Sequence, residues 1–410
     1  MKKTLIALAA IAATSAFAQS TVTVYGQADA AYTSVKSTVN SFSGIVGAGR
    51  GSNFVGFMGS EDLGGGLKAN FKLEAGYNLD SGIGAGSNTT NQAGGAAATV
   101  SGASTVATTI NSSTGAAATQ DRFSMAGAQG LTFNRWSYAG VSGGFGEVRV
   151  GREYTPTFQA VLSADMTGAN GIQNTLFQTL YLGQVNSVAT TTSASNGVSW
   201  ESPRLSGLQA KVQKFYGENL KAVSTANSAL FSGNSGDGTS YRLDFTQGPI
   251  NAGYGAQKTE GGTNTPAASA SGVAMIPGEY KVSTMYAKYD AGVAIVAVSK
   301  TTENLLVAAA EKNETTLIGL RVPMGAVTLN ATMATSERSA AGTVNAKGKQ
   351  IGMQALYALS KRTDLYANYA TTTNSLGKIY GIGNGSSRLA AVEANLDKST
   401  AYQLGMRHNF

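Results

Sequence analysis

The last ten residues, Ala401-Tyr402-Gln403-Leu404-Gly405-Met406-Arg407-His408-Asn409-Phe410, constrain the fold more tightly than any other stretch of the chain. Side chains alternate along an extended strand, so Tyr402, Leu404, Met406, His408 and Phe410 share one face. Gln403, Gly405, Arg407 and Asn409 share the other. Nothing follows that could cover the apolar face, and the sequence stops on an aromatic residue. Lipid on one side and water on the other satisfies both faces, provided each strand edge finds a partner, because an open edge cannot be satisfied inside a bilayer. The expected partner is Val22-Thr23-Val24-Tyr25-Gly26-Gln27-Ala28-Asp29-Ala30, which alternates in the same way. The chain is therefore expected to be an all-β transmembrane barrel, with Tyr402, Leu404, Met406 and Phe410 in its closing seam.

The beginning of the chain fits export. Lys2 and Lys3 precede an apolar run from Leu5 to Ala13, and Ala16-Phe17-Ala18 offers a small-x-small cleavage site. Residues 1–18 are expected to be a removed signal peptide, with cleavage between Ala18 and Gln19 and a mature chain of 19–410. That apolar run is too short to span a bilayer, and no later run reaches the ~20 apolar residues a membrane helix needs. Cysteine is absent, which removes thiolate metal sites and cysteine nucleophiles. No metal or cofactor is expected.

Segments of about ten alternating residues recur along the mature chain. Short turns carrying glycine, proline or Asx chemistry separate alternate pairs of them: Leu63-Gly64-Gly65-Gly66, Ser142-Gly143-Gly144-Phe145-Gly146, Ser202-Pro203-Arg204-Leu205-Ser206-Gly207, Thr246-Gln247-Gly248-Pro249, Tyr289-Asp290-Ala291-Gly292, Val322-Pro323-Met324-Gly325 and Ser360-Lys361-Arg362-Thr363-Asp364. Seven such turns and a strand at each terminus predict a 16-stranded antiparallel barrel, with both termini on the short-turn (periplasmic) side and eight long external loops. The faces follow by alternation. Ala69, Phe71 and Leu73 point outward, with Lys68, Asn70, Lys72 and Glu74 inward; Tyr241, Leu243 and Phe245 alternate with Arg242 and Asp244. A ring of sixteen strands is too wide for its side chains to fill, so it encloses water. A soluble sandwich or a surface adhesin would need a filled inner face, which the pattern lacks.

Two connections stand out. Residues 81–120 are low-complexity Gly/Ala/Ser/Thr/Asn sequence without a charge and are expected to form a long, water-facing external loop. Residues 157–196 carry Leu162, Leu176, Phe177, Leu180 and Tyr181 with a single charge, Asp165. So many apolar anchors need a surface, and the inside of the barrel wall is the nearest one, so this loop is expected to fold inward and narrow the channel.

Several ordered motifs carry a family resemblance: Val24-Tyr25-Gly26-Gln27-Ala28-Asp29, Gly59-Ser60-Glu61-Asp62-Leu63-Gly64-Gly65-Gly66-Leu67-Lys68-Ala69, Asn134-Arg135-Trp136-Ser137-Tyr138-Ala139-Gly140, Tyr357-Ala358-Leu359-Ser360-Lys361-Arg362-Thr363 and the terminal Gly405-Met406-Arg407-His408-Asn409-Phe410. Together they resemble the general diffusion porins of Gram-negative outer membranes, the betaproteobacterial branch in particular. The resemblance implies a homotrimer of barrels in contact with outer-membrane lipid and lipopolysaccharide, with the C-terminal strand presented to the barrel assembly machinery. It also implies a constriction in which acidic loop residues face wall arginines. Arg135 matches one of those arginines, and Asp165 is the candidate for the opposing acid. The family usually has arginine where Phe54 stands, often a basic residue where Met58 stands, and commonly another arginine within the stretch occupied here by Thr191-Thr192-Ser193-Ala194-Ser195.

Function then follows from charge in a narrow, low-dielectric passage. The inward candidates are Gln27, Lys68, Lys72, Arg135, Arg149, Arg242, Lys288, Arg321 and Arg407 against Asp29, Glu74, Asp165 and Asp244. Without Lys2 and Lys3 the chain has 28 basic and 23 acidic residues, a surplus of +5. The expectation is passive diffusion of small hydrophilic solutes with mild anion preference. That surplus is too mild, and too evenly spread, for nucleic acid. Catalysis lacks a base, since the single histidine, His408, falls at the rim on the lipid-facing side. A substrate-specific sugar or organic-anion channel would want a line of lumen aromatics, and the inward aromatics Tyr25, Phe54, Tyr286 and Tyr366 form no obvious one.

Overall fold

The computed structural model describes residues 21–38, 41–85, 91, 131–185, 188, 190–217, 234, 236–261, 278–306, 310–340, 345–384, 387–388 and 397–410. The expected cleavage site at Ala18 and Gln19 and nearly all of 81–120 lie outside these residues.

Sixteen strands form one antiparallel sheet. They are β1 (Thr21–Ser37), β2 in two stretches (Ser41–Gly47 and Phe54–Gly64), β3 (Leu67–Gly76), β4 (Trp136–Gly143), β5 (Gly146–Tyr154), β6 (Ser193–Glu201), β7 (Leu208–Phe215) and β8 (Gly238–Gln247). The second half comprises β9 (Ile250–Thr259), β10 (Glu279–Asp290), β11 (Ile295–Leu306), β12 (Glu311–Met324), β13 (Val327–Ala340), β14 (Ala346–Ala358), β15 (Thr363–Leu376) and β16 (Lys398–Asn409). Each strand pairs with its sequence neighbours, and β16 pairs with β1 from Gln27↔Asn409 to Ser37↔Ser399. The sheet is therefore closed into a barrel as the terminal alternation predicted, but the seam is displaced. Of the expected partner, residues 22–30, only 26–30 meet the last strand, whose pairing runs on to Ser37, while 22–25 pair with β2. Among the described residues no helix is long and apolar enough to cross a membrane.

The faces are inverted relative to a water-soluble sheet. Leu404 is 66% exposed while its neighbour Gln403 is 3% exposed, and Leu329, Leu365 and Tyr402 are exposed where Asn330, Asn368 and Thr332 are buried. Only lipid on the outside makes that arrangement favourable. The short turns sit where their chemistry placed them, with positive φ at Gly64, Gly248, Gly292 and Gly325. Asp62 and Asp290 accept hydrogen bonds from the amides of Gly64 and Gly292, each at 2.8 Å.

One expectation needs correction. Three of the eight external connections are short, covering only 38–40, 307–310 and 341–345. The adjoining strands are longer than ten residues, reaching 17 in β1 and 14 in β12 and β13. Their outer ends carry Lys, Glu, Ser and Thr on the outward face too, above the apolar band, and so read as loop.

The buried apolar residues lie inside the barrel. The connection between β5 and β6 contains α1 (Pro156–Ala164), α2 (Leu176–Thr179) and α3 (Tyr181–Val185). Thr155 caps α1, its side chain accepting from the Phe158 amide at 3.2 Å, and Pro156 occupies the first turn, where a missing N–H costs nothing. Phe158, Leu176, Phe177, Leu180, Tyr181 and Leu182 pack with the wall residues Tyr280, Val282 and Leu305.

Candidate functional site

The inward segment is fastened to the wall by polar bonds at its backbone. Helix α1 crosses β8 to β11, α2 lies on β12 and β13, and α3 on β11 and β12. The wall leaves room with glycine: a Cβ on Gly255, Gly319 or Gly352 would strike Ala160, Met166 or the Gln173 carbonyl. Glu303, fully buried on β11, accepts from the amides of Leu182 (3.1 Å) and Gly183 (2.9 Å), from the Tyr280 hydroxyl (2.8 Å) and from Asn313 Nδ2 (2.9 Å). Asn313 and Thr315 donate to the Gln178 carbonyl at 3.0 and 3.1 Å, and Gln178 donates to Gln350 at 2.9 Å.

A second piece of backbone also enters the interior, and the sequence reading did not find it. Strand β2 breaks at 48–53, and its pairing with β1 jumps from Gln27↔Phe54 to Ala30↔Gly47. The excursion wraps the Asp29 carboxylate, which accepts from the amides of Gly49 (3.0 Å), Arg50 (2.9 Å) and Gly51 (2.8 Å) and from the Tyr366 hydroxyl. Gln27 Nε2 donates to the Ser52 carbonyl at 2.7 Å. The Gly171 amide donates to the Ala48 carbonyl at 2.9 Å, and Ser52 to Asn170 at 3.0 Å, which joins the excursion to the inward segment. Arg50 is thereby set against Asp364, which also pairs with Arg407 at 2.8 Å.

The expected charged residues fall into separate groups. Lys72 and Arg135 meet at Glu74, at 2.9 and 3.1 Å. By register Glu74 is level with Trp136, Lys72 with Tyr138, Arg149 with Gly140 and Lys68 with Ser142. Lys68 is thus roughly 20 Å from Glu74 at ~3.4 Å per residue. Arg149 pairs with Glu147 (2.5 Å), Glu153 (3.2 Å) and Glu201 (3.1 Å), next to a buried Lys211–Glu153 pair at 2.6 Å. Glu147 and Glu201 border the short turns, so this group belongs to the periplasmic rim. Arg242 pairs with Asp244 at 2.5 Å and donates to Ser163 of α1 at 2.9 Å; Lys288 lies in the field of Arg242, Arg321 and Asp244.

Asp165 does not face Arg135. Its carboxylate closes the turn after α1, accepting from the Thr167 amide and hydroxyl (both 2.7 Å) and from the Ala169 amide. The cation nearest to it electrostatically is Arg321, which donates to the Met166 carbonyl at 2.7 Å and to Asn330 at 3.0 Å. Burial pushes the Asp165 carboxyl above its ordinary range, with those hydrogen bonds and Arg321 acting in the opposite direction. Gln27 and Asp29 hold the excursion and are themselves 8% and 0% exposed. His408 bonds Thr363 at 2.9 Å on the exposed rim.

Of the four inward aromatics named from the sequence, Tyr286 and Tyr366 lie apart, against Asp244 and Asp29, while Tyr25 and Phe54 join a strip of rings that the alternation did not reveal. Tyr25 and Phe54 are 5.7 Å apart, Trp136 lies 5.9 Å from Tyr138 and 5.0 Å from Tyr154, and Tyr154 lies 5.2 Å from Phe158 of α1. Lys72 sits 4.4 Å over Trp136 and 6.0 Å over Tyr25, while Arg135 sits 5.1 Å over Phe54 and 5.8 Å over Tyr154. These rings come from four strands and a helix, so no one segment announces them.

Comparison with known proteins agrees with this architecture. Outer membrane porin protein 32 of Delftia acidovorans is 29% identical over 422 aligned positions, covering 100% of both chains. The major outer membrane protein P.IB of Neisseria meningitidis serogroup B is 28% identical over 225 positions, 53% of this chain and 51% of that one. A solved anion-selective porin from Comamonas acidovorans superposes with a TM-score of 0.71 at 24% identity, covering 96% of this chain and 100% of that one. OmpT of Vibrio cholerae, in its trimer form, superposes with a TM-score of 0.63 at 15% identity, covering 95% and 99%. The fold and the relatives are those of channels. The model of the Gram-negative porin family matches residues 4–377, and the chain belongs to that family as a diffusion channel of the outer membrane.

Proposed function

We propose that this porin passes small anions in preference to cations, and that residues 157–196 and the 48–53 excursion frame its narrow section. The observation that carries the reading is how the interior acids are spent. Asp29 and Asp165 are taken up by backbone amides, so they hold loops in place, while Arg135 commits only Nε to a carboxylate. Lys72 and Arg135 share one carboxylate, as do Arg50 and Arg407, and Arg242, Lys288 and Arg321 have two acids near them, Asp244 beside Arg242 and Asp165 beside Arg321. The rim group around Arg149 and Lys211 leans the other way, with Glu147, Glu153 and Glu201 against two cations. A partial cancellation of this kind favours a mild preference, and the Comamonas acidovorans relative is itself anion-selective.

The mature chain is proposed to begin at Gln19 and to work as a homotrimer in contact with lipopolysaccharide, its C-terminal strand serving as the assembly signal. No catalytic role is proposed. Arg135→Glu reverses the charge beside Glu74 and should move the zero-current potential in a KCl gradient toward cation preference. An unchanged potential would remove Arg135 from the conducting path. Liposome swelling with solutes of graded size should depend smoothly on size; saturation would favour a substrate-specific channel.

A further inference from the structure

The ring-and-cation strip has features that a general anion attraction does not require. Tyr25, Phe54, Trp136 and Tyr154 are each only partly buried, whereas Phe158, which α1 itself contributes at the far end, is 6% exposed. The strip therefore has a wet edge along the wall and a dry end beneath the helix. Its cations are held in place without being saturated. Glu74 accepts from Lys72, from Arg135 Nε and from the Tyr25 hydroxyl at 2.8 Å, which fixes both cations over the rings. Arg135 spends only Nε on that contact, and its two terminal nitrogens have no partner among the described residues. A planar guanidinium edge with free donors is suited to a carboxylate, which it can hold with two parallel bonds. Partly exposed aromatic rings beside it are suited to another ring, in offset or edge-to-face contact.

We propose that this strip is a transient binding track for small aromatic carboxylates, with the acid group on Arg135 and Lys72 and the ring against Trp136, Tyr154 and Phe54. The inference rests on the anion-preferring reading above and narrows it to a solute class. Chloride and aliphatic acids feel the same field but gain no ring contact, so they are held more weakly. An aromatic acid is concentrated at the strip, and its permeation saturates.

Benzoate and cyclohexanecarboxylate make the test, because they share charge, carboxylate and carbon count and differ in the π face. Each is added to one side of single channels in KCl, and the concentration that half-saturates the reduction in chloride current is read. Benzoate should need a concentration about three- to tenfold lower, the range expected of one or two aromatic contacts. Trp136→Leu should bring the two acids together, and Phe54→Leu serves the same purpose if the Trp136 variant fails to insert. Arg135→Gln should weaken both acids alike. Equal half-saturating concentrations in the unsubstituted protein, with chloride preference intact in a plain KCl gradient, would overturn the track and leave the anion reading standing. A cation-preferring potential in the plain gradient would instead overturn the reading on which the track rests.

Discussion

Asp29→Asn sets charge counting against structure, and the two predict opposite signs. The substitution removes an interior acid, so counting charges predicts stronger anion preference. The geometry predicts the reverse. Asp29 Oδ1 accepts from the Gly49 amide and the Tyr366 hydroxyl, and Oδ2 accepts from the amides of Arg50 and Gly51. Asparagine keeps one acceptor oxygen and turns an NH2 group toward the other pair of donors. With the NH2 group on the Oδ1 side the Tyr366 hydroxyl can turn to accept, so the Gly49 amide bond becomes a donor–donor conflict and the other bonds lose their charge. At about 1.5–3 kcal/mol for each bond to a charged group, and allowing for non-additivity, the excursion should lose about 3–5 kcal/mol. A loss of that size opens 48–53 by a factor of more than 100. Arg50 then leaves its place against Asp364, so the passage loses a cation, whereas the acid removed was 0% exposed and already enclosed by backbone amides. The assay is the zero-current potential of single channels in a KCl gradient, with Arg50→Gln measured alongside. Both variants should shift toward cations, and the double variant should add little to either. A shift of Asp29→Asn toward anions would refute the reasoning, because the excursion would then be holding its place without the carboxylate.

Further tests address the seam, the anchored segment and its tip. Glu303→Ala strands the amides of Leu182 and Gly183, the Tyr280 hydroxyl and Asn313, so it should release α3 by about 3 kcal/mol and make single-channel current larger and noisier; a quiet, unchanged current counts against the anchor. Gly26→Val places a side chain where the Phe410 ring lies across the seam, beside the paired Gly26–Phe410 backbone bonds of 3.0 and 3.1 Å. It should sharply lower the yield of heat-modifiable barrel, whereas Gly144→Val, in an open turn, should not. The raised Asp165 carboxyl takes up its proton at a higher pH than an ordinary aspartate, so acidification should remove a negative charge next to Arg321 and increase anion preference. Asp165→Asn should lack that component of the pH dependence; identical profiles would refute it.

The barrel was legible because its constraints are local and repeat. Alternation placed Leu404 outward and Gln403 inward, turn chemistry marked Gly248 and Gly292, and the terminal strand found β1 in the expected direction. The site was legible only in part, because its parts are assembled across strands. Ala48-Gly49-Arg50-Gly51-Ser52 interrupts the alternation, and a glycine-flanked arginine in mid-strand was the available signal for Arg50. Thr155-Pro156 likewise carries a helix start, a capping threonine followed by proline, which strand alternation does not show. Asp165 is the only charge in residues 157–196, but a carboxylate two residues from a threonine and four from an alanine amide turns onto its own backbone. The ring strip draws on β1, β2, β4, β5 and α1, a juxtaposition that exists only once the sheet is closed.

Chloride preference requires a water-filled barrel whose interior acids are tied up in structure while its cations face the passage. Mature protein inserted in a planar bilayer under a KCl gradient tests this in one recording. Discrete current steps with a modest chloride-preferring zero-current potential are predicted, and a silent bilayer or a potassium-preferring potential would contradict the account.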